Sequence, residues 1–219
     1  METIINEKSI QPLSAGLYSD LQRDILSGEL TNGSKITEHA VCERYHVSRT
    51  PVREAFRQLE SDGLIENIPN RGAFITGLTK RDISDLFDLR SLFEAQAVEW
   101  AIKRMTSEEI DRLGETLDFM EFYTMRDDVE KVLSFNSQFH SIIYAGTKDH
   151  ILEKTLSVYQ TYLKHSAPHK TYTEEDLRTI LEEHKAIFEA VESKNAAAGR
   201  KAMESHMEQS KLRRITRYF

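Results

Sequence analysis

Long apolar runs, paired cysteines and an excess of basic charge are all missing from this 219-residue chain, and each gap removes a class of protein. No segment approaches the roughly eighteen consecutive apolar residues that a membrane span needs. Met1 to Pro12 carry no apolar stretch resembling a signal peptide, so the expected compartment is the cytoplasm. The single cysteine, Cys42, permits no intramolecular disulfide, which points to a reducing compartment and leaves Cys42 as a small core residue. Lys and Arg total 29 against 36 Asp and Glu, a formal net charge of −7, opposite in sign to the basic footprint of a nucleic-acid binder. Any DNA-binding surface must therefore be local. There is no internal repeat, no low-complexity segment and no His-Glu-x-x-His element that would set a general base beside metal ligands. The length leaves room for one or two domains with hydrophobic cores, and two are expected.

What is present starts at Val47-Ser48-Arg49-Thr50-Pro51-Val52-Arg53-Glu54-Ala55. Ser48 is a favoured N-cap residue, and Pro51 is tolerated in a first helical turn because its missing N–H has no helical partner there. A helix is expected from about Arg49. Arg49, Arg53 and Arg57 recur at four-residue spacing along one side, and Val52, Phe56 and Leu59 fall on the side that packs inward. Ahead of it, Thr37 is placed to cap a short helix over Glu38 to Arg44 that buries Ala40 and Val41, with Tyr45-His46 as the tight connection, a helix-turn-helix layout. Behind it, Gly63 ends the reading helix. Leu64 to Ile68 and Ala73 to Thr76 read as the strands of a wing joined by Pro69-Asn70-Arg71-Gly72, and an amphipathic helix near Leu17 to Leu26 precedes the whole.

Charge along this region is uneven. Residues 1–78 hold eight basic and eleven acidic side chains, a net of −3, yet Arg44, Arg49, Arg53 and Arg57 fall within one short stretch and Arg71 joins them through the wing. An ordinary solvated helix face mixes its charges more evenly. A basic residue beside a glycine at a hairpin tip suits a phosphate or minor-groove contact, where backbone must approach closely.

The order Ile36-Thr37-Glu38, Val47 through Ala55, Leu59, Gly63-Leu64-Ile65 and Arg71-Gly72 resembles the DNA-binding domain of the GntR superfamily of bacterial transcription regulators, over roughly the first third of the chain. The resemblance implies a winged helix-turn-helix on double-stranded operator DNA. Arg49 and Arg53 are the candidates for base-edge or adjacent phosphate contacts, Ser48 and Thr50 for backbone contacts at the helix start, Arg71 and Gly72 for the wing, and Arg44 and Arg57 for the rest of the basic stretch.

From Thr79 onward strand alternation disappears. Thr79 with Asp82, Thr106 with Glu109, and Thr173 with Asp176 each fit a capping box or its aspartate variant. The expected helices are Lys80 to Arg104, Ser107 to Met125, Val129 to Ala145, His150 to Ser166, Glu174 to Ser193 and Ala196 to about Arg214. The fold class is thus mainly α, with a winged helix-turn-helix domain over 1–77 and an all-helical bundle over 78–219. The boundary at Gly77-Leu78-Thr79 is short enough for mechanical communication.

Polar residues interrupt the apolar stripes of this bundle. Leu177, Ile180, Leu181, His184, Ile187, Phe188 and Val191 form one stripe with His184 at its centre; Val132, Asn136, Phe139, His140 and Ile143 form another; His206 lies between Met203 and Met207. A lone buried histidine is more often a hydrogen-bonded core residue than a ligand. Four polar side chains directed at one interior are costly unless they satisfy each other or a shared ion, and imidazole suits zinc, nickel, copper or iron. Asn136, His140, His184 and His206, spaced by 4, 44 and 22 residues, resemble the metal-holding set of the FCD effector domain in the FadR-type branch of the GntR superfamily. The resemblance implies a divalent transition metal, zinc first, with nickel, iron or manganese as alternatives. Asn136 stands where such domains more usually carry Asp, which leaves every protein ligand neutral and favours an anionic effector at an open coordination position.

Arg90 and Glu94 interrupt a third stripe, Ile83, Leu86, Arg90, Glu94, Ala97 and Ala101. The plain reading is an internal ion pair; the alternative is that the Arg90 fork clamps the carboxylate of a small effector. Together these features lead to the expectation of a homodimeric, ligand-responsive regulator, a repressor rather than an enzyme. It would grip a palindromic operator with two reading heads and respond to a small organic acid bound near the metal. The competing expectations are a regulator that senses the metal itself and, less favoured, a metal-dependent hydrolase.

Overall fold

The computed structural model describes residues 13–166 and 172–218, so the expectation for Met1 to Pro12 lies outside the described residues. The chain divides into two compact units, Met1–Leu78 and Thr79–Phe219. The described residues include no helix long and apolar enough to cross a membrane.

The first unit runs α1 (Leu13–Leu26), β1 (Lys35–Ile36), α2 (Glu38–Tyr45), α3 (Arg49–Ser61), β2 (Ile65–Ile68) and β3 (Gly72–Ile75). Leu17, Leu21 and Ile25, one helical turn apart, are buried on α1, and α3 meets them with Val52, Ala55 and Leu59, all fully buried. At roughly 1.5–3 kcal/mol for each large apolar side chain removed from water, this seam outweighs the individual caps and turns that shape it. Thr37 caps α2 by accepting from the Ala40 N–H, and His46 closes it in the left-handed region at φ 54°. Gly63, at φ +72°, turns the chain out of α3. The sheet order is β1-β3-β2, antiparallel throughout, with Ile65 opposite Ile75 and Ile68 opposite Gly72.

Four local details differ from the sequence reading. The two-residue β1 was not expected, because two residues are too few for any alternation to show; its pairing to β3 creates it. β2 begins at Ile65 rather than Leu64, and β3 starts at Gly72, which belongs to the ladder rather than the turn. Ala40 stays exposed, since the short α2 buries only Val41.

Beneath the turn sits a buried carboxylate. Asp24 on α1 accepts from the Tyr45 hydroxyl at 2.6 Å and from Arg44 Nη2 at 2.9 Å, which ties the end of α2 to α1. Burial, with the bond to Asp24 next, pushes the Tyr45 phenol well above its ordinary value.

The second unit is wholly helical in its described residues: α4 (Lys80–Arg104), α5 (Ser107–Thr124), α6 (Val129–Gly146), α7 (His150–His165), α8 (Glu174–Glu192) and α9 (Ala196–Tyr218). All three threonine capping boxes form, at Thr79, Thr106 and Thr173. Asp128 and Asp149 cap α6 and α7. α9 runs past the expected end near Arg214, to Tyr218. Gly199 permits close approach of α9 to α4, since a Cβ there would lie 2.5 Å from Ile102 Cδ1. Phe139 and Ile143 of α6, Leu177 and Ile187 of α8, and Met203 of α9 are fully buried, and the Phe139 ring packs edge-on against His184.

Asp24→Ala should lower the stability of the first unit by about 1.5–3 kcal/mol, the worth of hydrogen bonds to a charged group, read as a lower urea midpoint. An unchanged midpoint would mean that the Arg44–Asp24–Tyr45 cluster contributes nothing net.

Candidate metal centre and nucleic-acid interface

On the first unit, α3 presents Arg49, Thr50, Arg53 and Arg57 to solvent while its opposite side is buried, as expected of a helix with one charged face. Ser48 holds the N-cap position with extended backbone, but its side chain makes no capping bond and stays exposed. Its hydroxyl is therefore not spent on the helix start, a correction to the role given it from sequence. Arg53 donates from Nε to Glu38 at 2.8 Å, an exposed pair of the kind that adds little stability and exchanges readily. Arg44 is engaged with Asp24, so its first duty is structural.

At the wing, Arg71 lies over the Phe74 ring, 5.6 Å from its centroid, and Gly72 adopts φ +96°. A Cβ at Gly72 would lie 3.0 Å from Lys35 Cε, so the bare glycine lets the Lys35 side chain lie beside the tip of the wing. Lys35 was missed in the sequence because nothing there announced β1.

In the second unit the histidines converge. One nitrogen from each of His140, His184 and His206 lies within 4.8 Å of the others, and all three side chains are buried. Each ring has its Nδ1 committed. His140 Nδ1 is 2.7 Å from Glu94 Oε2, His206 Nδ1 is 2.8 Å from Glu183 Oε2, and His184 Nδ1 is 2.7 Å from the Ile180 carbonyl. A main-chain carbonyl only accepts, as does an ionised carboxylate, so all three Nδ1 atoms carry a proton, and each ring in its neutral form turns an Nε2 lone pair inward.

The Nε2 atoms do not all satisfy one another. His140 Nε2 and His206 Nε2 are 3.1 Å apart, and His184 Nε2 has no hydrogen-bond partner although it is fully enclosed. Protonation is a poor remedy near neutral pH. Burial, with His206 and His140 beside it, pushes His184 well below the ordinary histidine range, and burial pushes His206 down to about 4 despite its bond to Glu183. Two nitrogens bound tetrahedrally to zinc at about 2.0–2.1 Å would lie about 3.3 Å apart. The donor set fits a divalent transition ion.

The carboxylates behind the rings are themselves held. Burial works to raise Glu94, but the His140 ring and the Arg90 guanidinium hold it well below the usual carboxylate range. Arg90 donates to Glu94 Oε1 through both Nε and Nη2, and Tyr144 donates its hydroxyl to the same oxygen. Burial would likewise raise Glu183, yet the fork of Arg213 and the His206 ring lower it.

Arg90 is thus the internal ion-pair partner of Glu94. It also lines a cavity of about 230 Å³ shared with Asn136, His140, His206, Arg213 and Arg214. Asn136 is half-buried on that wall, one turn before His140. Sequence reasoning missed Glu183, Tyr144 and Arg213. The four-residue step from His140 to Tyr144 and the seven-residue step from His206 to Arg213 were signals of shared helix faces.

Residues 13–75 match the family described as bacterial regulatory proteins, gntR family, and residues 85–209 match the FCD domain. The chain is 32% identical over 198 residues to the HTH-type transcriptional regulator YdhC of Bacillus subtilis, covering 89% of this chain and 88% of that protein. It is 25% identical to the HTH-type transcriptional repressor RspR of Escherichia coli, over 95% and 91% of the two chains. It is 27% identical to the gluconate operon transcriptional repressor of Bacillus subtilis, over 81% and 75%. Among solved structures, E. coli McbR/YncC shares the fold with a TM-score of 0.74 at 22% identity, over 92% of this chain and 96% of that one. With its arginine-faced winged helix-turn-helix and its histidine-centred helical unit, the chain belongs to the GntR family of bacterial transcription regulators that carry an FCD domain, a family of DNA-binding proteins and not of enzymes.

Proposed function

We propose that this regulator is a homodimeric repressor of a palindromic operator, and that its helical unit holds a divalent metal, zinc first, beside a site for a small organic acid. The observation that carries the metal reading is the set of three inward Nε2 lone pairs, one of them unpartnered in a closed interior. His140, His184 and His206 would hold the ion, and Asn136 would add a neutral oxygen. The ion would supply positive charge at an open position, and the chain's own residues would orient the acid against it. The adjoining cavity, with arginines and hydroxyl-bearing residues on its wall, has the size and polarity for an acid of several carbons. Repressors named for gluconate and galactonate operons stand among the relatives, which supports both the repressor role and the organic acid.

On DNA, Arg49 and Arg53 would reach base edges or nearby phosphates from α3, Ser48 and Thr50 would meet backbone at its start, and Arg71, Gly72 and Lys35 would serve the wing. Arg57 would extend the basic stripe. A regulator of this kind works in the cytoplasm, where its operator lies.

Titrating zinc and organic acids separately against operator binding, by fluorescence anisotropy, tests the reading. Release by an acid only when zinc is bound supports it; release by zinc alone would favour a metal sensor. Arg53→Ala should weaken operator binding by roughly 5- to 100-fold while leaving thermal unfolding unchanged, and normal binding would remove Arg53 from the interface.

His184→Ala should abolish stoichiometric zinc binding, read by elemental analysis, without loss of operator affinity in the absence of effector. Retained zinc would break the three-histidine assignment. Asn136→Asp should tighten zinc in a chelator competition yet blunt the response to an anionic effector, since it places negative charge beside the open position. A tighter metal with an undiminished response would show that the effector does not use the metal's charge.

A further inference from the structure

Two of the three histidines are backed in the same way, and the third is not. Arg213 forks Glu183, with Nη1 on Oε1 and Nη2 on Oε2, both at 2.7 Å, and Glu183 Oε2 takes the His206 Nδ1–H at 2.8 Å. Arg90 holds Glu94 Oε1, with Nε at 3.0 Å, and Glu94 Oε2 takes the His140 Nδ1–H at 2.7 Å. Each chain therefore runs guanidinium, carboxylate, imidazole. His184 is held instead by the neutral Ile180 carbonyl of its own helix. The two arginines also have a shared position, since both line the same cavity as His140 and His206.

A carboxylate behind an imidazole raises the basicity of the opposite nitrogen and so strengthens its hold on a metal. A guanidinium on the far side of that carboxylate draws its charge the other way. Away from bulk water, fully so at Arg90–Glu94 and in part at Arg213–Glu183, such a redistribution is weakly screened and reaches the ligand nitrogen. An anion in the cavity has two guanidiniums to share. By taking part of their charge, it leaves more of the carboxylate charge to the imidazoles.

We infer that Arg90 and Arg213 are positioning residues that restrain the carboxylates behind His140 and His206, and that an anion entering the cavity relieves this restraint and tightens the metal. This rests on the metal reading proposed above. By linkage the metal then strengthens anion binding by the same factor, so the regulator responds to the pair of ligands rather than to either alone. His184 is the insensitive third ligand that keeps the ion seated as the other two are tuned.

The test uses the intact protein and zinc, with affinity read by chelator competition and folding checked by thermal unfolding of the zinc-free form. Glu183→Gln should weaken zinc by roughly 10- to 100-fold, the usual effect of losing a carboxylate behind a ligand histidine. Arg213→Gln should do the opposite and tighten zinc several-fold. In a Glu183→Gln background the Arg213→Gln change should lose most of its effect, because the two residues act in series. A purely structural ion pair predicts weaker zinc for both single variants, and a through-space charge effect predicts an undiminished change in the double variant; either result overturns the inference.

Acetate, succinate and gluconate serve as anion probes. At least one should tighten zinc in the unaltered protein, and Arg213→Gln should lose most of that gain. No gain from any of the three, or a gain that survives in Arg213→Gln, overturns the anion coupling. If Arg213→Gln does not fold, Arg213→Lys carries the comparison, because lysine keeps the charge but cannot form the fork. An unaltered protein that binds no zinc fails at the metal reading itself, whereas normal zinc binding with a silent Arg213→Gln fails only here.

Discussion

Three imidazole nitrogens that cannot all satisfy one another set the terms for the helical unit. Once His140, His184 and His206 each commit Nδ1 to an acceptor, their Nε2 atoms face inward, where those of His140 and His206 meet at 3.1 Å and that of His184 has no partner. Leaving such a group buried and unpaired costs about 1–3 kcal/mol. Much of the surrounding structure answers that constraint. Glu94 and Glu183 fix two rings, arginines fix the carboxylates, and Tyr144 closes the Glu94 side. The long α4, α8 and α9 supply the rigid walls.

The DNA-reading unit depends on a different economy. Its overall charge is unhelpful, so the arginines are concentrated on one face of α3 and on the wing, while an apolar seam with α1 holds that face in place. Asp24 neutralises Arg44 and anchors Tyr45, which keeps the turn between α2 and α3 closed. The arginine stripe thus separates into two kinds of residue. Arg44 builds the unit, and Arg49, Arg53 and Arg57 remain at its surface.

Much of this was legible in the sequence because the signals were local. Thr79, Thr106 and Thr173 announced helix starts three residues before their acidic partners, and each box forms. The stripes carrying His140, His184 and His206 also pointed inward as their spacing required, because helical periodicity is a property of neighbouring residues. What escaped was pairing between distant segments. β1 exists only because β3 lies beside it, Glu183 matters only because α9 brings His206 and Arg213 to it, and the Arg90–Glu94 pair is explained only when His140 and Tyr144 arrive from α6. Ser48 marks a subtler limit: residue type located the cap, but the side chain does not make the bond.

The central claim is that the three histidines bind one metal through Nε2, and the most direct measurement is X-ray absorption at the zinc edge of the purified full chain loaded with one equivalent of zinc. The account predicts a shell of nitrogen and oxygen neighbours at about 2.0–2.1 Å, with the outer-shell scattering of three imidazole rings. A shell of oxygen alone, or one with fewer than three imidazoles, would contradict it.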